Sequence, residues 1–283
     1  MCVFGIYTNE QKDPGFKTTL CVISELKKRG LTYYLDEQIA DKTAPELSVK
    51  GKKIDYLLVF GGDGTMLSAA RKYAVTGAYI LGFNMGRLGF LLDTEITEFS
   101  GAIDALLAGD FTCEKRLMLN VSVVDSDGCV KSSEYALNEA VISQRHILRL
   151  INVDVKVNGE LMDSMDCDGI IVATPTGSTG YSLSAGGSIA MPELNIMLIT
   201  PICYHSLSSG KMIISGDDTV TVETNVNSRF FPGLTLDGQE YFDIDEGDTV
   251  VIKKAEFRAN FVKYKNKNFF TVMKDKFTEW SRK

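Results

Sequence analysis

Leu57-Leu58-Val59-Phe60-Gly61-Gly62-Asp63-Gly64-Thr65 decides the reading of this chain. Its first four residues are a continuous apolar run, the pattern of a strand buried on both faces. Beyond Thr65, the residues Met66, Leu67, Ala70 and Tyr73 recur at helical spacing. Residues 61–65 therefore join a buried strand to a helix. Open α/β sheets bind ligands there, at the carboxyl ends of their strands. Gly61, Gly62 and Gly64 free the backbone to take positive φ and to approach a ligand closely. Amides at the start of the following helix favour a phosphate. The loop lacks the G-K-[ST] ending of a Walker A segment and the G-x-G-x-x-G spacing of a dinucleotide fingerprint. Asp63 is its one side chain with catalytic reach. An acid beside a phosphate accepts a proton from an attacking hydroxyl or helps to hold Mg²⁺. Aspartate is also an ordinary turn residue, and spacing alone leaves both readings open.

Outward from this loop, the first hundred residues alternate between strand and helix patterns. Residues 3–7 form a short apolar run. Phe16, Leu20, Ile23 and Leu26 recur at helical spacing, with Lys27, Lys28 and Arg29 in the last turn and Gly30 as the stop. Residues 33–35 and 78–81 read as strands and 99–107 as a helix. This alternation predicts a parallel sheet with flanking helices. Near residue 115 the period changes to two. Ile151, Val153, Val155 and Val157 alternate with polar residues and run into Asn158-Gly159, a hairpin turn. Val220 and Val222, residues 250–252, and Phe261-Val262 add strands, while Asp127-Gly128 and Asp237-Gly238 mark turns. The expected organisation is an α/β N-terminal domain at 1–114 and a C-terminal β-rich domain at 115–265. A segment at 266–283, helical from 269 to 280, returns to the first domain.

With 283 residues the chain can form one large domain or two ordinary ones, and 45% hydrophobic against 24% charged residues is a globular balance. No apolar run reaches the ~20 residues that span a bilayer. The start, Met1-Cys2-Val3-Phe4-Gly5-Ile6-Tyr7, reads as a strand and not as a signal peptide. A cytoplasmic protein without a membrane partner is expected. Six cysteines stand singly with no C-x-x-C pair, which argues against zinc and thioredoxin-like sites. They read as reduced thiols, mostly small buried hydrophobes. A net charge of −7 argues against general nucleic-acid affinity. The basic stretches 253–258 and 263–267 read as solvated faces of edge strands.

A second constellation begins at Asp168. Residues 168–173 read as a strand that enters Thr174-Pro175-Thr176-Gly177-Ser178-Thr179-Gly180-Tyr181, then Ser182-Leu183-Ser184-Ala185-Gly186-Gly187-Ser188. Small hydroxyls and glycines without charge suit the polar edges of a nucleoside. The alternative is a flexible Ser/Gly linker, against which stand the rigid Pro175 and Tyr181. Upstream, Asn138 and Glu139 interrupt the apolar stretch 136–142. Neighbours on a strand point to opposite faces, so one of them faces inward or into a cleft, where a ribose hydroxyl is a suitable partner. A strand end at the surface explains the pair equally well.

Residues 61–65, Asn84-Met85-Gly86-Arg87-Leu88-Gly89-Phe90-Leu91, Asn138-Glu139, residues 168–181 and Asp237-Gly238-Gln239, in this order, resemble the NAD kinase family. The resemblance covers almost the whole chain. Residues 61–65 alone also resemble loops of diacylglycerol kinases, sphingosine kinases and phosphofructokinases; the stretch from Asp168 is far more specific. The resemblance implies a homo-oligomer, dimer or tetramer. It implies ATP or another phosphoryl donor, Mg²⁺, and transfer to the 2′-hydroxyl of the adenosine ribose of NAD, giving NADP. It implies Asp63 as general base on that hydroxyl, with Gly64 beside the NAD. Asn138 and Glu139 would hold the adenosine portion, Asp168 would lie near the nicotinamide riboside, and Thr176, Thr179, Gly180, Tyr181 and Ser184 would line the base pocket. Gly61, Gly62, Gly64 and Thr65 would serve the phosphates, with Arg87 either a further phosphate contact or a solvated charge.

The chain departs from the family pattern at several positions. Asp166 stands where an arginine is frequent, so Arg149, Lys156 or Arg87 would have to meet the product's 2′-phosphate. Cys167 replaces a small residue, Gly180 an alanine, and Tyr204 a proline; His205 beside it reads as structural. The rival readings are a lipid kinase sharing the glycine loop, a non-catalytic NADP-binding sensor, and nucleic-acid binding through the two basic stretches.

Overall fold

The structure is a computed structural model that describes residues 2–86, 89–92, 94–144, 150–204, 210–224, 232–265 and 268–281. The chain divides into two compact units, Met1–Lys115 with Ala259–Lys283, and Arg116–Arg258.

The first unit contains β1 (Val3–Thr8), α1 (Lys17–Lys28), β2 (Thr32–Leu35), α2 (Glu37–Thr43), β3 (Tyr56–Gly61), α3 (Asp63–Tyr73), β4 (Tyr79–Asn84), β5 (Thr94–Glu95) and α4 (Phe99–Ala108). Its strands run in the order β2-β1-β3-β4 and every pairing is parallel. The order reverses between β1 and β3, and a crevice for ligands opens at the carboxyl ends of strands at such a point. Residues 61–65 lie there. β3 is apolar throughout because both faces are covered: Leu57, Leu58, Val59 and Phe60 are at most 1% exposed. Phe60 stacks on Phe83 of β4 at 5.1 Å, and Phe83 meets Phe99 of α4 at 5.4 Å.

The helix that carries Asp63 is tied at its far end. Asp36 precedes α2, is 2% exposed, and accepts from the Gln38 amide at 3.1 Å. It also accepts from Lys72 Nζ at 2.7 Å and Tyr73 Oη at 2.6 Å, both in the last turn of α3. A buried carboxylate is tolerated only when paired and hydrogen-bonded, so these bonds fix α3 against α2.

The second unit holds β6 (Thr112–Val124), which enters it at Arg116, then β7 (Val130–Ala136), β8 (Glu139–Gln144), β9 (Ile151–Val157), β10 (Glu160–Cys167) and β11 (Gly169–Ala173). There follow α5 (Tyr181–Ser184), β12 (Ile196–Ile202), β13 (Met212–Ser215), β14 (Val220–Thr224), β15 (Pro232–Leu236), β16 (Glu240–Asp243) and β17 (Thr249–Lys263), and then α6 (Phe269–Ser281) in the first unit. One antiparallel sheet runs β13-β12-β11-β8-β15-β16. A second antiparallel run is β10-β9-β14-β17. Val153 and Val155 of β9, Val220 and Val222 of β14, Ile170 and Val172 of β11, and Ile142 of β8 share one core. Asn158 and Gly159 join β9 to β10 with φ of 52° and 85°.

Several expectations are corrected here. Leu20 is 50% exposed; α1 instead buries Thr19, Val22, Ile23 and Leu26. Phe16 lies before the helix, so its phase differs from the one assumed. Residues 250–252 and 261–262 belong to one strand, β17, because small Ala255 and Ala259 continue the buried face between them. The second compact unit ends at Arg258, and the last residues of β17 pair with Tyr79 and Ile80 of β4. β17 pairs on both sides, with β14 and β6, so its basic residues do not mark an edge. Lys254 pairs with Asp217, Lys265 with Glu98, and Arg258 donates to Asn195. Of six free cysteines only Cys167 is buried; Cys21, Cys129 and Cys203 are exposed.

Tyr73→Phe deletes a hydrogen bond to a buried charge. It is expected to lower stability by about 1.5–3 kcal/mol, seen as an earlier urea midpoint. An unchanged midpoint would show that Lys72 and the Gln38 amide hold Asp36 without Tyr73.

Candidate active site

The loop at 61–65 opens α3. Gly62 is extended (φ −122°, ψ −172°) and precedes the helix. Neither Gly61, Gly62 nor Gly64 takes positive φ, contrary to expectation. The requirement at Gly61 is space: a Cβ there would stand 2.3 Å from Thr65 Oγ1. Thr65 is 6% exposed, and its hydroxyl accepts from the Gly62 amide at 3.4 Å. Its side chain is thus spent within the loop, while Gly64 is exposed. Arg87 lies outside the described residues.

Asp63 begins the helix, partly buried. Its carboxylate accepts from two consecutive amides, Phe90 N to Oδ2 at 2.8 Å and Leu91 N to Oδ1 at 3.1 Å. Gly89 lies so close that a Cβ would stand 1.8 Å from Oδ1. A carboxylate gripped through both oxygens has one orientation, which an ordinary turn aspartate lacks. Sequence reasoning quoted residues 89–91 as a motif but missed this contact, because it is made by backbone and no side-chain pattern records it. Beside it, Asn84 donates Nδ2 to the Gly86 carbonyl at 2.9 Å and leaves a buried Oδ1 without a donor.

In the second unit, Leu137 and Asn138 form a corner between β7 and β8, and Glu139 is the first residue of β8. They do not lie within a continuous strand as expected. The backbone of the corner is fully engaged. Asp237 Oδ2 accepts from Leu137 N at 3.1 Å, and Asp237 Oδ1 accepts from Asn138 N at 2.7 Å and Glu139 N at 3.2 Å. Thr174 donates its hydroxyl to the Leu137 carbonyl at 2.6 Å and its amide to the Asn138 carbonyl at 2.8 Å. The Asp237 amide donates to the Glu139 carbonyl at 3.0 Å. Gly177 packs on the corner; a Cβ there would meet the Asn138 carbonyl oxygen at 2.2 Å. Only side-chain oxygens are left over: Asn138 Oδ1 and Glu139 Oε2 are buried with no hydrogen-bond partner.

Glu139 is 6% exposed, and burial pushes its carboxyl up to about 7. The charge of Asp237 adds to the rise, and the Tyr181 amide, which donates to Glu139, opposes it. Gly180 borders the same oxygen, with a Cβ position 3.0 Å from Oε2.

The stretch 174–188 is hydrogen-bonded throughout its first half, and residues 174–178 are buried, unlike a flexible linker. Thr174, Ser178 and Ser182 are 0% exposed. Ser178 Oγ donates to the Pro175 carbonyl at 2.6 Å and accepts from the Ala190 amide at 3.0 Å. Buried Thr176 receives Arg116 Nη1 at 3.3 Å, an arginine that the sequence reading overlooked. Thr179 donates back to the Thr176 carbonyl, Tyr181 is 45% exposed, and Ser184 is exposed. The structure thus gathers Asn138, Glu139, Thr176 and Gly180 with the unforeseen Asp237. Asp168 is not among them. It stands at the other end of β11, roughly 20 Å from Thr174 along an extended strand, and its carboxylate accepts from the exposed Cys203 thiol, which that bond pushes up.

The residues around Asp166 supply little free positive charge. Asp166 accepts from Asn152 at 2.8 Å, and Lys156 is committed to Glu223 at 2.6 Å. Arg149 and His205 lie outside the described residues.

Residues 4–111 match the ATP-NAD kinase N-terminal domain and residues 137–264 the ATP-NAD kinase C-terminal domain. The chain is 39% identical over 280 residues to an NAD kinase of Caldanaerobacter subterraneus subsp. tengcongensis, covering 97% of this chain and 98% of the relative. It is 39% identical over 285 residues to that of Desulforamulus reducens, covering 99% and 98%. Among solved structures it is similar to an NAD kinase from Archaeoglobus fulgidus in complex with ATP, with TM-score 0.70, 26% identity and 98% of each chain covered. Yeast NADH kinase complexed with NADH shares the fold at TM-score 0.88 and 22% identity, over 98% of this chain and 88% of the other.

Gly89→Ala sets a methyl group against the Asp63 carboxylate. The carboxylate is expected to leave both amides, so that Phe90 and Leu91 exchange their amide hydrogens about tenfold faster or more. Unaltered exchange would mean that Asp63 does not hold them.

Proposed function

The chain belongs to the NAD kinase family and its activity is the phosphorylation of NAD; from that premise we propose how its residues carry the transfer. The 2′-hydroxyl of the adenosine ribose attacks the γ-phosphorus of ATP. The new bond joins O2′ to phosphorus, the bond from phosphorus to the β,γ-bridging oxygen breaks, and NADP and ADP leave. Asp63 takes the hydroxyl proton. The single observation that carries this role is the two-amide grip on its carboxylate, which aims a base without immobilising the loop amides. A positioned general base contributes roughly 10²–10⁴-fold; alignment of the two substrates supplies much of the rest.

The loop amides and the start of α3 serve the phosphates of the donor, with Gly61, Gly62 and Gly64 giving backbone access and Thr65 shaping the turn. Asn138 and Glu139 accept from hydroxyls of the adenosine. Thr176, Thr179, Gly180, Tyr181 and Ser184 border its base. Asp168 serves the nicotinamide end of an extended dinucleotide, which its place at the far end of β11 supports. No cluster of three or more His, Cys, Asp or Glu forms a metal site among the described residues. Mg²⁺ would arrive on ATP, since it is ordinarily held by phosphates, waters and one or two carboxylates. Bound so, the ion would neutralise charge on the transferring group. Arg87 is the cation proposed beside those phosphates.

A lipid kinase is disfavoured by the two buried acceptors and the polar loop 174–188, which leave no apolar lipid site there. No helix among the described residues is long and apolar enough to cross a membrane. We propose a cytoplasmic location, supported by six cysteines that are all free. We propose a homo-oligomer, dimer or tetramer; the terminal strand β13, which exposes Met212 on one face and Ile213 on the other, supports it.

Asp63→Asn is expected to lower kcat with NAD, ATP and Mg²⁺ by roughly 10²–10⁴-fold while the KM for NAD changes little. Turnover near that of the unaltered protein, read by a coupled NADP-specific dehydrogenase, would remove Asp63 from the role.

A further inference from the structure

Glu139 and Asn138 present two unpartnered oxygens, and their direction is set entirely by the corner beneath them. That corner has three adjacent amides, those of Leu137, Asn138 and Glu139, pointing at one acceptor group. The acceptor is Asp237, about one hundred residues away in sequence and 6% exposed. It lies at the turn between β15 and β16 with φ 51°, which a non-glycine residue adopts at some cost. That conformation brings both its carboxylate and its amide to the corner, since its N–H returns to the Glu139 carbonyl at 3.0 Å. No neutral side chain substitutes fully. An asparagine there would turn an NH₂ group toward at least one of the three donors.

We propose that Asp237 is a positioning residue of the NAD site: its carboxylate holds the backbone of residues 137–139 so that Asn138 and Glu139 face the adenosine. The proposal rests on the reading that Asn138 and Glu139 hold NAD. The negative charge of Asp237 also acts on Glu139. Both carboxyl groups are buried, so little water screens them. Burial is the largest cause of the rise at Glu139, Asp237 adds to it, and the Tyr181 amide opposes it. Arg116, buried in the same unit, is directed to Thr176.

The sign follows. Glu139 is neutral below its midpoint of about 7 and charged above it. Removing the charge of Asp237 lowers the midpoint, so the charged form persists to more acid pH.

The test measures NAD binding by calorimetry and steady-state kinetics across neutral pH for the unaltered protein, Asp237→Asn, Glu139→Gln and the double variant. Asp237→Asn is expected to raise the KM for NAD on the order of tenfold, with a much smaller change in kcat. Its pH transition in NAD affinity moves to lower pH, and Glu139→Gln abolishes that transition in both backgrounds. NAD affinity and transition pH unchanged in Asp237→Asn, with Glu139→Gln impaired, would overturn the positioning role and leave the NAD site intact. NAD affinity unchanged by Glu139→Gln would overturn the site reading and the proposal with it. Should Asp237→Asn fail to fold, amide exchange in the unaltered protein decides: the amides of residues 137–139 are expected to be protected, and exchange at the rate of open amides would refute the clamp.

Discussion

A buried oxygen without a donor costs about 1–3 kcal/mol, and this chain keeps two of them at adjacent residues. Asn138 Oδ1 and Glu139 Oε2 are unpaired while every backbone group around them is paired. The contrast is informative. Folding has satisfied the amides with Asp237 and the carbonyls with Thr174 and Asp237, two residues that follow the ends of β11 and β15. The unsatisfied atoms are therefore not a failure of packing. In the proposed reading they are the part of the corner left for a ligand, and adenosine hydroxyls are donors of the right kind.

The first unit shows the complementary arrangement. There the side chain is satisfied by backbone: Asp63 is oriented by the amides of Phe90 and Leu91, and the closeness of Gly89 leaves its carboxylate no second place to go. Behind it, α3 is anchored through Lys72 and Tyr73 to buried Asp36. The parallel order β2-β1-β3-β4 then delivers the start of α3 to the point where the sheet reverses. Fold, anchor and grip all act on one carboxylate.

Much of this was legible in the sequence. An all-apolar β3 followed by three glycines located the loop, because a strand covered on both faces and a helix in register leave few alternatives. The Asn158-Gly159 hairpin followed from its turn chemistry. The Ser/Thr-rich stretch after Thr174 was recognised as ordered through Pro175 and Tyr181. What stayed hidden were contacts made by backbone amides across long separations: Phe90 and Leu91 on Asp63, and residues 137–139 on Asp237. Asp237-Gly238 reads as a turn and as part of the family resemblance, but nothing in the sequence assigns its carboxylate to residues 137–139; an aspartate able to adopt positive φ is the available signal. Leu20 was placed in the core because apolar spacing cannot show where a helix begins, and Phe16 precedes α1. Glycine's positive φ was assumed at 61–65, where closeness of backbone and side chain is the actual demand.

The claim on which the rest depends is the proposal that Asn138 Oδ1 and Glu139 Oε2 accept from hydroxyls of the adenosine of NAD. A crystal structure of the NAD complex tests it most directly. The expected result is adenosine hydroxyls within hydrogen-bond distance of Asn138 Oδ1 and Glu139 Oε2. NAD bound with both oxygens still unpaired would contradict it.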